Sequence, residues 1–276
     1  MAHLSSSEVV GLGTFLSGLY DVHCHLQDER LGPDLAPVLH RARAAGVRRI
    51  MCCGIHPGDW TTVLDLAWRW KMVVPSLGLH PWYLAQRTAD WRERLEDLAL
   101  RHRCGIGEIG LDHHLPAETR PLQLEVFRFQ IRLANRLGRP ASIHCRRAWR
   151  PLLDILEQEG GLIAGGVMHA FGGPPDLVPA LERRGLMISF AGGITRPNAR
   201  RPLEACRAVS SGRLLVETDS PDILPTGCEG PHNEPACILA VLRAVALARE
   251  MTAADAAQLT GDNARRLFGI LEDEVR

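Results

Sequence analysis

Lysine is almost missing from this chain: of its 32 basic residues only Lys71 is one, and the rest are arginine. Net charge is missing too, because 32 acidic residues balance the basic ones to a formal +0. That balance excludes a protein that coats nucleic acid or anionic membrane through bulk electrostatics, so any phosphate recognition is local. No apolar run approaches the roughly 20 residues that a membrane span needs. The eight cysteines form no C-x-x-C pair and no spacing of a disulfide framework, which points to a reducing, cytoplasmic setting. A mildly apolar stretch near the N-terminus lacks a basic leader region and an A-x-A cleavage site, so residues 1–18 read as a short extension and not a signal peptide. No low-complexity tract, solenoid repeat or linker-like shift in composition divides the chain.

What is present is an alternation. Short β-branched or apolar runs at 19–26, 48–55, 72–80, 104–112, 140–145, 165–170, 186–191 and 213–220 are separated by amphipathic stretches such as 34–45, 59–70, 90–102 and 120–137. Runs of that kind read as βαβ units around a parallel sheet. Eight of them in roughly 250 residues is the count of a (β/α)8 TIM barrel. A doubly wound open sheet is the competing topology; it normally uses fewer strands, and no G-x-G-x-x-G follows the first one. The expected architecture is a single TIM barrel over 19–276. The stretch 252–268 adds a C-terminal helix, with Thr252 as its N-cap.

Catalytic groups of a TIM barrel come from the C-terminal ends of its strands. Here the first strand ends in His23-Cys24-His25, the third in His80, the fourth in Glu108, the fifth in His144, the sixth in His169 and the eighth in Glu217 to Asp219. Residues i and i+2 of a strand share a side, so His23 and His25 can reach one ion while Cys24 faces away. An isolated H-x-H is as easily coincidence. Six converging ligand types, however, leave buried polar groups unpaired without a cation. Six ligands exceed the need of one tetrahedral ion with an open water position, so two ions sharing a carboxylate is the economical solution. Glu108 is the natural bridge. Related barrel hydrolases can use a carbamylated lysine instead, but Lys71 lies at the foot of the third strand and cannot serve. His23, His25 and Asp219 then complete one ion, and His144 and His169 the other.

The motifs Asp21-Val-His-Cys-His25, Gly78-Leu-His-Pro81, Gly107-Glu-Ile-Gly-Leu-Asp112, His144-Cys-Arg146, His169-Ala-Phe-Gly172, Glu217-Thr-Asp-Ser-Pro221 and Asn233-Glu-Pro235 occur in this order. As a set they make the chain, over nearly its whole length, resemble the TatD-type metal-dependent deoxyribonucleases of the amidohydrolase superfamily. The resemblance implies a TIM barrel with a divalent-metal centre that hydrolyses phosphodiesters, commonly trimming DNA from the 3′ end. It places His23, His25, Glu108, His144, His169 and Asp219 at metal positions, and His80 and Arg146 near the substrate phosphate. The chain departs from the family where His232 precedes Asn-Glu-Pro instead of a permanently charged residue, and where His113 and His114 follow Asp112 instead of an aromatic.

The leading expectation is hydrolysis by metal-activated water, with Asp219 taking its proton or acting only as a ligand, and Glu108 bridging. Arg146 can grip a phosphate through two parallel hydrogen bonds, and its alternative is an ordinary surface arginine. Trp82, Tyr83 and Phe171 follow directly on site strands, where they stack nucleobases or simply pack. The expected partner is a DNA 3′ end or a short single strand, with no membrane. Four imidazoles suit Zn, Mn, Co or Ni better than Mg, although Mg or Mn supports activity in relatives. Two other readings share these residues: a binuclear hydrolase of a small phosphate ester, lactone or C-N substrate, and a non-catalytic subunit that keeps ions for structure.

Overall fold

The computed structural model describes residues 18–271. The extension expected over 1–18 lies, apart from Gly18, outside the described residues. Eight strands run in sheet order: β1 (Leu19–Cys24), β2 (Val47–Cys53), β3 (Val73–Leu77), β4 (Gly105–Asp112), β5 (Ala141–Arg146), β6 (Gly166–Met168), β7 (Leu186–Phe190) and β8 (Leu214–Val216). All seven successive pairings are parallel. The strands are buried on both faces, as a parallel sheet covered by helices requires, and they therefore read as near-continuous apolar runs. The last gap is bridged at the top of the barrel, where the Asp219 amide donates to His23 O and the His25 amide to Ser220 O. Lower down, the buried carboxylate of Asp21 accepts from the Thr218 amide and hydroxyl at 2.8 and 2.5 Å. This is a (β/α)8 TIM barrel.

Among the described residues the outer layer comprises α1 (Ala36–Ala44), α2 (Trp60–Arg69), α3 (Trp91–Arg101), α4 (Arg120–Leu137), α5 (Trp149–Gln158), α6 (Val178–Glu182), α7 (Arg200–Ala208) and α8 (Ile238–Ala248). The longest, α4, carries a proline in its first turn and stops at Gly138, whose left-handed φ of 61° an L side chain adopts only with strain. Its buried stripe of Val126, Phe127, Ile131 and Ala134 packs on the strands. The additional helix α9 (Ala253–Phe268) starts at Thr252, whose hydroxyl accepts from the Asp255 amide. Leu267 and Phe268 of α9 join Tyr20, Val22, Met51, Val74, Val167, Met187 and Leu215 in an apolar cluster that fills the foot of the barrel. Polar side chains are thereby left to the opposite end.

Two strands slip register by one residue. In β1, Asp21 pairs with Ile50 but Cys24 with Cys52, and in β4, Ile106 pairs with Ala141 but Ile109 with Ile143. An extra residue reverses the inside-outside alternation locally and re-aims the side chain at the bulge. The slips span Val22 and His23 in β1 and Gly107 and Glu108 in β4.

Candidate metal centre

His23, His25, His80, Glu108, His169 and Asp219 are buried at the mouth, with His144 partly so. Glu108 stands at their centre. Its Oε2 lies 3.3 Å from Nε2 of both His23 and His25, while its Oε1 lies 2.9 Å from His169 Nε2, 3.2 Å from His80 Nε2 and 3.4 Å from His144 Nδ1. Each carboxylate oxygen thus addresses its own set of imidazoles. Asp219 Oδ1 is 3.7 Å from His23 Nε2 and 3.6 Å from His25 Nε2. Glycine two residues after Glu108 is a steric need: a Cβ at Gly110, where φ is +154°, would come within 2.0 Å of His144 O.

The remaining ring nitrogens decide what these imidazoles can do, since a neutral ring has one donor and one lone pair. His25 Nδ1–H donates to Cys53 O at 2.8 Å, which leaves Nε2 a lone pair. His23 Nδ1 is hydrogen-bonded to Ser142 Oγ at 2.8 Å. His144 Nε2–H donates to Asp112 Oδ2 at 3.3 Å, which turns the Nδ1 lone pair toward Glu108. His169 Nδ1 faces Glu217 Oε1 at 3.3 Å, in ion-pair range though outside hydrogen-bond alignment. His80 is the exception. Its Nδ1 accepts from the Trp82 amide at 3.1 Å, so its Nε2 carries the hydrogen and donates to Glu108 Oε1. His25 and His144 therefore turn a lone pair toward the carboxylates, and His80 steadies the central one.

Lone pairs facing carboxylate oxygens need positive charge between them. His23 Nε2 and His25 Nε2 approach each other to 3.2 Å, closer than two lone pairs rest without a shared cation or proton. Burial opposes charge on every one of these groups. The carboxylates of Asp219 and Glu108 still hold His25 well above the usual imidazole range, and Glu108 does the same for His169. The surrounding imidazoles in turn hold Glu108 and Asp219 below the carboxylate range. For His80, burial outweighs Glu108 and pushes it down to about 4, so it stays neutral. Nitrogen and carboxylate donors of this kind fit Zn, Mn, Co or Ni. Three groups have ligand atoms within 4.8 Å of one another: His23, His25 and Asp219; His23, Glu108 and His169; and His80, Glu108 and His144. The last includes His80, expected at the substrate, but its committed Nε2 hydrogen makes it a donor to Glu108 and not a metal-binding atom. His144 and His169, expected to share an ion, fall in separate groups, although His144 Nδ1 and His169 Nε2 are 3.3 Å apart.

A cavity of about 600 Å³ opens above this cluster. Arg146 and Trp82 line it, and Trp82 is 54% exposed while its Nε1–H donates to Asp112 Oδ2 at 2.6 Å. Phe171 does not line it. At 2% exposure it packs edge-on against Trp149 and Phe190, so base stacking is closed to it. The reason is Ala170, whose left-handed φ of 42° turns the chain back toward the core. His232 sits on the loop between β8 and α8 outside the cavity lining. Arg30, which no sequence motif marks, clamps Asp28 and Asp222 across the mouth at 2.8 and 2.7 Å, and Arg147, Trp149, Arg196 and Arg201 also line the cavity. Among the described residues five non-glycine positions have left-handed φ, and four of them, Arg147, Ala170, Asp219 and Ile223, line the cavity. Backbone strain of that kind, costing about 1–3 kcal/mol per residue, collects at functional sites.

Residues 20–269 match the family model described as TatD related DNase. The uncharacterized metal-dependent hydrolase YabD of Bacillus subtilis is 34% identical over 91% of this chain and 99% of its own length. Human deoxyribonuclease TATDN3 is 29% identical over 91% of this chain and 94% of its own. Among solved structures, the TatD homologue YjjV of Escherichia coli superposes with a TM-score of 0.87 at 29% identity, over 92% of this chain and 99% of that one. The chain belongs to the TatD-related DNase family of metal-dependent hydrolases.

Proposed function

We propose that this protein is a deoxyribonuclease that removes nucleotides from the 3′ end of single-stranded DNA, using two divalent ions in the cytoplasm. The observation that carries the reading is the division of Glu108 between two sets of inward-aimed imidazoles. His23, His25 and Asp219 would hold one ion, and His144 and His169 the other, with Glu108 between the two sets. Ions bound there would supply an acidified water and neutralise charge on the phosphoryl group.

The protein's own groups do the rest. Asp219, 7% exposed and lining the cavity, orients the attacking water and accepts its proton. Arg146, exposed at the end of β5, takes two non-bridging oxygens of the scissile phosphate. Trp82 offers a ring face to the terminal base. His80 and Asp112 hold Glu108 and His144 in place. The human relative that carries the name deoxyribonuclease supports DNA as substrate.

Metal analysis of the protein as purified, coupled to turnover of a 3′-labelled single-stranded oligonucleotide, tests the reading. We expect about two ions per chain, with cleavage lost on chelation and restored by Mn, Co or Mg. Glu108→Gln folds but retains at most one ion and loses at least 1,000-fold in kcat. Faster turnover of a lactone or small phosphate ester in the same assay would transfer the site to the small-substrate class. Undiminished cleavage after chelation removes the metal mechanism altogether.

A further inference from the structure

Four arginines that line the cavity have no carboxylate partner among the described residues. Arg146 and Arg147 at the exit of β5, and Arg196 and Arg201 on the connection from β7 into α7, line it and are exposed. Among the described residues, no carboxylate engages any of the four. Their sequence neighbours show the contrast, because Arg150 pairs with Asp154 at 2.9 Å and Arg200 with Glu204 at 2.9 Å. The carboxylates that line the cavity are already committed. Asp28 and Asp222 are held by Arg30, and Glu108 and Asp219 face the imidazoles. In a chain of zero net charge, four guanidinium groups without a carboxylate partner in one cavity concentrate positive charge at its mouth.

Arg201 adds a second oddity. It sits in the first turn of α7, a turn with no acidic residue, where the free peptide N–H groups already carry partial positive charge. A cation there is disfavoured unless an anion comes to it. Arg147 holds a left-handed φ of 56°, a conformation that glycine would adopt freely, yet the position carries a long cationic side chain at the mouth. One scissile phosphate can occupy two parallel donors of Arg146, and it leaves three guanidinium groups unsatisfied.

We propose that Arg147, Arg196 and Arg201 form a second phosphate subsite that holds linkages upstream of the scissile one. The protein then selects a strand of several phosphates over an isolated diester. The proposal rests on the nuclease reading above and adds residues to it. Four contacts give a slope of log affinity against log salt of about −2.8 for a single strand, and removing two reduces it to about −1.4.

The test pairs the double variant Arg196→Gln, Arg201→Gln with two forms of a hexathymidylate. One has natural linkages, and the other carries neutral methylphosphonates at the second to fourth linkages from the 3′ end. On the natural strand the variant raises KM at least tenfold, with a smaller change in kcat, and halves the salt slope. The neutral strand raises the wild-type KM by a similar factor, and the variant responds to it little further, because both changes delete the same contact. Additive effects of the two changes, or a KM that moves with neither, overturn the subsite. A wild-type protein that hydrolyses bis(p-nitrophenyl) phosphate but not the natural strand overturns the nuclease reading itself, and this proposal with it.

Discussion

Asp112 shows how one side chain controls the site without entering it. Fully buried, it accepts from His144 Nε2, Trp82 Nε1 and the His114 amide, and so selects the His144 tautomer whose Nδ1 faces Glu108. Replacing such an outer partner typically costs 10–100-fold in metal affinity. Asp112→Asn is expected to weaken binding of one of the two ions by about that factor, measured by competition with a fluorescent chelator, and to leave the other unchanged. The thiols offer a residue-scale check on burial. Burial pushes Cys52 and Cys104 up to about 12, whereas a hydrogen bond from Cys237 lowers Cys228, which is only partly buried. The thiolate is the reactive form. Iodoacetamide at pH 8 therefore labels Cys228 ahead of the buried cysteines, as peptide mapping will show. The convergence of these residues at the mouth was legible in the sequence because histidine and carboxylate at successive strand ends are distinctive. Their tautomers were not, since these depend on Cys53 O, Ser142 and Asp112, partners distant in sequence. The cationic wall was also hidden: arginine is so frequent here that nothing local separates Arg201, which is free, from Arg200, which is paired.

At the scale of elements, all eight strands and the C-terminal helix fall within a few residues of where alternation of apolar runs puts them, because strands buried on both faces write themselves plainly into the sequence. The slips in β1 and β4 could not be read that way. Strict alternation places Tyr20, Val22 and Cys24 on one side, but the extra residue between Asp21 and Cys24 sends Val22 and His23 both inward and Cys24 outward. Phe171 was misplaced for a similar reason, since a turn at Ala170 reverses the direction that its strand implies. The helix α9 carries its own consequence. Phe268, 3% exposed, completes the apolar foot of the barrel, so Phe268→Ala costs about 3–5 kcal/mol. Urea unfolding should report that loss. Metal content per folded chain stays the same, because the plug and the metal cluster lie at opposite ends.

The whole molecule joins a conventional apolar foundation to a polar mouth where imidazoles and carboxylates converge. Ions that bind the folded chain alone stabilise it by about 2.7 kcal/mol at a hundredfold excess over Kd. In a protein of this size that is about 5–10 °C in Tm. Scanning calorimetry before and after chelation should show a fall of that order, recovered on adding metal back. The plugged foot has a further meaning for how a polymer is handled. A barrel sealed by Leu267 and Phe268 has one door, so a strand that enters cannot be drawn through and out the other side. On the nuclease reading proposed above, each released nucleotide would leave by the route its parent came in.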